Sequence, residues 1–416
     1  MRKLSFVLIL ATTIVGNAAE RFRTDINPAL LYHQGLLMVP QLSDADRKFL
    51  FETEWRNVPP DNRYDSLVST YRNVFKMLRR AAVSEVPCDW GIDMSDGPET
   101  LLPALARFKS VAQVACLRAR KHLIAGKQAE TRDELLATFV MGRNVSRDGT
   151  VISVLVQVAI ENIVMSFIAE NFYQFAPETL EQLAAGFNSA PARRQIHECM
   201  AVERYAFCDW LVAKINDFDA ESGGNQQQLH TKLRELLGKV LGAPETEAEK
   251  NRMTKVPDEF IGATDGSAAG LIGYVKQLEP LYDEATHVLT LSWPEYQVPT
   301  AEFEKKLATH PNVLAREFLP ALGKARAREF PLVSKYAMLQ AAMAYKVGGE
   351  GAFKAVSDPF GDGPFTFRRF VLEGVDRGFQ LQSKLNCRGF DETLILIETP
   401  GPAVRVDFKN AGEKIP

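Results

Sequence analysis

Two carboxylates are the residues best placed to do chemistry. Ser153, Gln157 and Glu161 recur every four residues through Thr150 to Phe175, a segment otherwise apolar nearly all round, so the spacing predicts a polar line down a buried helix. Each polar group left unsatisfied there costs on the order of 1 to 3 kcal/mol, and a charge costs more. Glu161 therefore demands a partner. From Pro191 onward, Ile196, Met200, Phe207 and Trp210 form an apolar stripe into which Glu203 intrudes, with His197 nearby. If Glu161 and Glu203 face one cavity, they form the acid and base of a glycoside hydrolase, with desolvation keeping one of them protonated, and Trp210 or Tyr205 stacks on sugar. The catalytic set on that reading is Glu161, Glu203 and His197. On the structural alternative the same acids pair with arginines such as Arg143, Arg147 or Arg194 and fix helix packing.

A second candidate is electrostatic. Thr100 to Ala129 holds Arg107, Lys109, Arg118, Arg120, Lys121 and Lys127 and no acid. Such a run either docks an anionic envelope polymer or acidic protein, or is a solvated face paired with the acids of a neighbouring helix. More specific motifs are missing: there is no His-Glu-x-x-His, Cys-x-x-Cys, phosphate loop, Gly-x-Ser-x-Gly or Ser-x-x-Lys. Gly266-Ser267 reads as a turn capping the next helix. The remaining histidines, His33, His122, His230, His287 and His310, lack metal-ligand spacing, so no metal and no cofactor is expected. Asn144-Val145-Ser146 matches a glycosylation acceptor, and Ser292 to Tyr296 places two aromatics in an expected loop.

Helices must position these residues. Ser43 to Thr53, Tyr64 to Val83, Leu101 to Gly126, Thr131 to Val145, Thr150 to Phe175 and Pro191 to Phe218 all carry apolar residues at helical spacing. Ala125-Gly126 is a helix stop, and Thr131 with Glu134 reads as the capping box of the next helix, so two antiparallel helices are predicted. That hairpin, Leu117 to Val145, resembles one tetratricopeptide unit, with Ala119 and Ala137 where such repeats pack closely; no period of about 34 residues extends it. Residues 219–266 are polar and glycine-rich. Helical spacing returns from Ala268 to Leu289 and from Val313 to Lys346, with breaks expected at Pro320 and Pro331. After Gly348-Gly349 the period becomes two: Phe365 and Phe367, Phe379 and Leu381, Leu394 and Leu396, then Val404, Val406 and Phe408. The predicted fold class is mainly α, stacked helical hairpins with a small C-terminal antiparallel β appendage.

The N-terminus supplies an address. Arg2 and Lys3, the apolar run Leu4 to Val15 and the small residues Gly16-Asn17-Ala18-Ala19 read as a secretory signal. The expected organisation is a signal peptide at 1–19, a helical domain at 20–218, a polar linker with short helices at 219–266, a second helical region at 267–346 and the β appendage at 347–416. Loss of Arg2 and Lys3 with the signal moves the formal charge of the 416-residue chain from −3 to −5, which gives no basis for nucleic-acid binding. An apolar run of about a dozen residues is too short for a stable span. The expected location is periplasmic or extracellular. Five cysteines are too few for a disulfide scaffold; Cys88 or Cys387, flanked by turn residues, could pair in an oxidising compartment, Cys116 reads as a buried thiol, and Cys199 and Cys208, nine apart on one expected helix, cannot bond to each other.

The C-terminal order Asp358-Pro359-Phe360-Gly361, Phe365 to Arg369 and Gly378 to Ser383 resembles the end of the pseudopilins of type II secretion, and also a family of uncharacterised exported bacterial helical proteins with the same ending. The resemblance implies an Asp-Pro-aromatic-Gly turn leading into a small sheet. Pseudopilin calcium sites use acids in this region, but the chain continues Lys384-Leu385-Asn386-Cys387-Arg388, and the pseudopilin assembly helix is absent. Neither calcium nor pilus assembly is therefore implied. The functional expectation is an exported binding or scaffold protein of the cell envelope, partnered by an envelope protein or anionic polymer, with a carbohydrate-active hydrolase as the alternative.

Overall fold

Helices begin where short polar side chains can accept the otherwise unpaired first amides. Asn27 caps α1 (Pro28–Leu37), Ser43 caps α2 (Asp44–Phe51) and Asp61 caps α3 (Asn62–Thr70), followed directly by α4 (Arg72–Ala82). Glycine supplies the next turn: α5 (Leu105–Ile124) and α6 (Gln128–Val145) are joined through Gly126, whose φ of 70° suits a residue without Cβ. Thr150 caps α7 (Val151–Glu170), and Pro177 opens α8 (Pro177–Ser189). The computed structural model describes residues 23–401 apart from 53, 57–58, 101, 103–104, 243–245, 320 and 388–390. The expected signal segment and Val404, Val406 and Phe408 lie outside the described residues.

The chain is mainly α with a small antiparallel sheet near its C-terminus. Its centre is α7, packed on α5, α6, the Glu329–Lys354 helix and the sheet. By length and composition α7 would suffice to cross a membrane. Here its apolar surface is instead the middle of a core, with Ile160, Val164, Met165, Phe167 and Ile168 buried. A second core gathers residues 196–330. It absorbs the expected linker: Leu229, Leu233 and Leu237 of the Gln226–Leu241 helix and Phe260 of the Val256–Gly262 helix are buried in it. The 219–266 segment is thus polar on one side only, and its helices are structural.

Three local expectations change with tertiary context. The helix expected from Pro191 starts instead as a 3-10 turn at Ile196–Cys199, and passes through a π turn at Tyr205–Asp209 before Trp210–Ser222. Pro331 lies in the first turn of the Glu329–Lys354 helix, where its missing N–H costs nothing, so it starts that helix rather than breaking it. The break falls at Gly349, at φ 70°. Trp293 and Tyr296, expected in a loop, lie on the Trp293–Ala308 helix and pack on Phe330 with ring centroids 4.9 and 5.1 Å away.

The sheet runs β1 (Thr366–Leu372), β2 (Val375–Asn386), β3 (Asp391–Ile397), antiparallel throughout. Its inner face presents Phe379, Leu381, Leu394 and Leu396 to the helices, and Phe367 stacks on Phe379 at 4.8 Å. The Asp358 carboxylate ties the preceding turn to β2, accepting from Phe360 N at 3.0 Å, Ser383 Oγ at 2.8 Å and Lys384 N at 2.6 Å. At Gly378 a Cβ would sit 1.9 Å from the Leu396 carbonyl oxygen of β3. Gly378→Ala must therefore separate β2 from β3. The expected outcome is a loss of about 2 kcal/mol or more in urea unfolding, with the same substitution at Gly363, which meets nothing within 4 Å, close to neutral.

Candidate functional site

Glu161 is fully buried and held by two arginines. Arg143 of α6 places Nε 2.6 Å from Oε1, and Arg193 places Nη2 2.6 Å from Oε2. Each guanidinium also lies over a ring, Arg143 at 4.8 Å from Phe139 and Arg193 at 5.5 Å from Tyr336. Burial pulls Arg143 below the usual guanidinium range, with Glu161 opposing that shift. Upstream on the same polar line, Gln157 accepts from Ser146 Oγ at 2.5 Å and donates to the Arg194 carbonyl at 3.2 Å. For Glu161, then, the partners are arginines, Arg143 and Arg193, the latter in place of Arg147 or Arg194.

Glu203 does a different job. Its Oε1 accepts from Val151 N at 2.7 Å, satisfying an orphan amide at the start of α7. Burial pushes its carboxyl above the ordinary range. Val151 and Glu161 are ten residues apart on α7, roughly 15 Å by helical rise, well beyond the 5 to 10 Å that a glycosidase pair uses. His197 belongs to the Ile196–Cys199 turn, where burial and then Arg326 lower its proton affinity. Trp210 is buried against Gly97, while Tyr205 stays exposed. The structure does not bring Glu161, Glu203 and His197 into one cleft, and the expected catalytic set is corrected accordingly.

The basic segment is likewise dispersed. Arg118 pairs with Glu134 at 3.1 Å, Lys121 with Asp65 at 2.5 Å, and Arg120 donates to the Trp55 carbonyl and the Tyr64 hydroxyl. Arg107 donates to the Leu36 carbonyl at 3.3 Å. Lys109 and Lys127 are exposed near opposite ends of α5. The six cations therefore form no single docking face. Asn144 and Ser146 are also buried, with Asn144 donating to the Tyr32 hydroxyl at 3.1 Å, so the glycosylation acceptor is closed. Cys88, Cys116, Cys199 and Cys208 are free thiols, so Cys88 is not bridged to Cys387.

Glu134 is the site that local spacing misassigns. The α6 helix starts at Gln128, so Glu134 is not a capping residue. It is 1 % exposed and lies between Arg79 of α4 and Arg118 of α5, with Oε2 at 3.2 and 3.1 Å and Oε1 accepting no hydrogen bond. Burial outweighs both arginines and pushes its carboxyl up to about 7. A third buried acid, Glu329, accepts from Ile196 N at 3.2 Å and from Arg326 at 2.8 Å. Buried acids clamped by arginines are the recurring device here.

Several concavities open among the described residues, one of them, of about 640 Å³, bordered by charged side chains such as Arg252, Glu259, Arg316 and Glu317. A groove of about 940 Å³ follows α6, with Leu136, Ala137 and Val140 on its floor, the Val83–Cys88 segment on one side and the end of α8 near Gly186 and Ser189 on the other. A pocket of about 560 Å³ lies beyond α1, lined by aromatic and aliphatic side chains around Trp90 and Phe108. Neither pocket is lined by Glu161, Glu203 or His197. Sequence spacing marked neither, because each joins segments distant along the chain. Comparison with known proteins finds no family model, no curated protein and no solved structure that matches this chain.

Two outcomes follow from the clamped acids. Glu161→Gln leaves Arg143 and Arg193 facing a neutral amide in the core, and urea denaturation should show a loss of about 3 to 5 kcal/mol, against about 1 kcal/mol for Glu203→Gln at the helix end. Glu134 binds its proton more tightly in the folded chain than in the unfolded one. Its contribution to stability is therefore complete below about 4.5 and is lost as pH rises through about 7. Glu134→Gln should flatten the pH dependence of unfolding across that window; an unchanged profile would show that another group carries it.

Proposed function

We propose that this protein is an exported binding protein of the cell envelope which docks an extended segment of a partner polypeptide in the α6 groove. The observation that carries the reading is how the groove is built. Its floor runs along one stripe of α6 from Asp133 to Asn144, about 16 Å by helical rise, and its centre is apolar while its ends are polar. One wall is itself a non-helical segment, with Val83 53 % exposed. An extended peptide of about five residues spans such a length and can place alternate side chains on an apolar floor. The signal-like pattern at residues 1–19 supports export. The hydrolase alternative loses its support, since Glu161 and Glu203 are engaged in fold-defining contacts.

Selection of random peptides on the purified protein tests this. Enriched peptides should carry apolar residues at alternate positions. Val140→Arg, placed on the groove floor, should weaken them at least tenfold, and Lys109→Glu on the exposed face of α5 should leave them unchanged. Failure to enrich any peptide, or binding indifferent to Val140→Arg, would refute the groove reading.

A further inference from the structure

The pocket beyond α1 is built differently from the groove and supports a separate assignment. Trp90 is its centre. The ring stacks on Tyr32 at 5.8 Å, meets Phe108 edge-on at 5.5 Å and His33 edge-on at 5.2 Å, and its Nε1 donates to the Asn144 carbonyl at 2.7 Å. Those contacts fix the indole while leaving part of it to line a cavity shared with Leu36, Leu105 and Val145. The volume, about 560 Å³, falls in the range of small-molecule sites rather than packing defects. At the rim Leu37 is 83 % exposed, a large apolar side chain with nothing over it among the described residues.

The charges at this pocket are unequal in availability. Asp148 lines it, yet its Oδ1 is turned to the start of α7, accepting from Thr150 N at 2.9 Å, Thr150 Oγ1 at 3.1 Å and the Ser153 hydroxyl. Those donors and the positive end of the helix dipole engage one oxygen of that acid, while burial raises its carboxyl above the ordinary range. Arg107 is exposed, and among the described residues no carboxylate pairs with it. His33 adds a ring nitrogen on the same side. An apolar, aromatic-walled cavity beside a guanidinium that donates to the Leu36 carbonyl, with no carboxylate on it among the described residues, matches a molecule that is apolar along its body and anionic at one end.

We propose that this pocket binds a free single-chain amphiphile with an anionic head group, its chain against Trp90, Phe108 and Leu105 and its head at Arg107. The site is distinct from the groove, and its test does not depend on any peptide binding there.

The test uses the purified protein with 1-anilinonaphthalene-8-sulfonate as reporter, and laurate and dodecyltrimethylammonium as competitors below their micellar concentrations. Laurate should displace the dye at one equivalent, with the cationic competitor at least tenfold weaker. Arg107→Glu should reverse that preference, and Leu105→Trp, which fills the cavity, should weaken both at least tenfold while the thermal unfolding midpoint stays near that of the parent. Equal potency of the two competitors, or displacement indifferent to both substitutions, would overturn the proposal. So would sedimentation of the protein with vesicles of anionic phospholipid in preference to laurate binding, which would make the patch a membrane-surface contact.

Discussion

The fold depends on one carboxylate buried in the middle of an apolar helix. An ionised acid in such a place is strongly unfavourable unless close partners repay its desolvation. Glu161 meets that demand with Arg143 from α6 and Arg193 from the segment before Ile196, and Arg193 also lies over Tyr336 of the Glu329–Lys354 helix. A greasy α7 alone would accept many rotations and depths. The charge admits only the arrangement that brings both arginines to the same point, which makes it a registration device for the elements stacked around it. Glu134 has the same placement between α4, α5 and α6, and Glu329 has it where the second core meets the first, but at both burial outweighs the arginines and raises the carboxyl.

How much was legible in the sequence follows from the range of the interactions. Local chemistry was readable: the stop at Gly126, the cap at Ser267, the change of period after Gly348 and the demand of Glu161 for arginine all depend on a few adjacent residues or on one helix face. Glu134 was misread for the same reason. Thr131 and Glu134 have capping-box spacing, but Thr131 donates back to the Lys127 carbonyl and Glu134 answers Arg79, 55 residues away. Segment 219–266 looked like a linker because average polarity hides amphipathic helices whose apolar stripe is narrow.

The basic run shows the limit from the other direction. Six cations without an acid look like a docking face when counted along the chain, but a helix spreads successive residues around its axis, and partners arrive from elsewhere. Asp65 reaches Lys121 from α3, Glu134 reaches Arg118 from α6, and backbone carbonyls of Trp55 and Leu36 take Arg120 and Arg107. Lys109 and Lys127 stay exposed, and Arg107, bonded to a carbonyl at the edge of a cavity, pairs with no carboxylate among the described residues.

The segment from Val83 to Ile92 links the two concavities, since Val83 and Cys88 wall the groove and Trp90 and Ile92 wall the pocket. It is irregular chain, which would ordinarily be a poor wall for a binding site. Here side chains replace secondary structure. Asn27 and Asp89 exchange two hydrogen bonds at 2.7 and 3.1 Å, Ser84 Oγ donates to the Ile26 carbonyl at 2.7 Å, and Trp90 is pinned to Asn144. A wall fixed in this way loses little conformational entropy when something binds against it. The same ties make α1 common to both sites, through Pro28 at the groove and His33 at the pocket. Pinning an irregular segment between two apolar hollows keeps both walls in place without a helix or strand behind them.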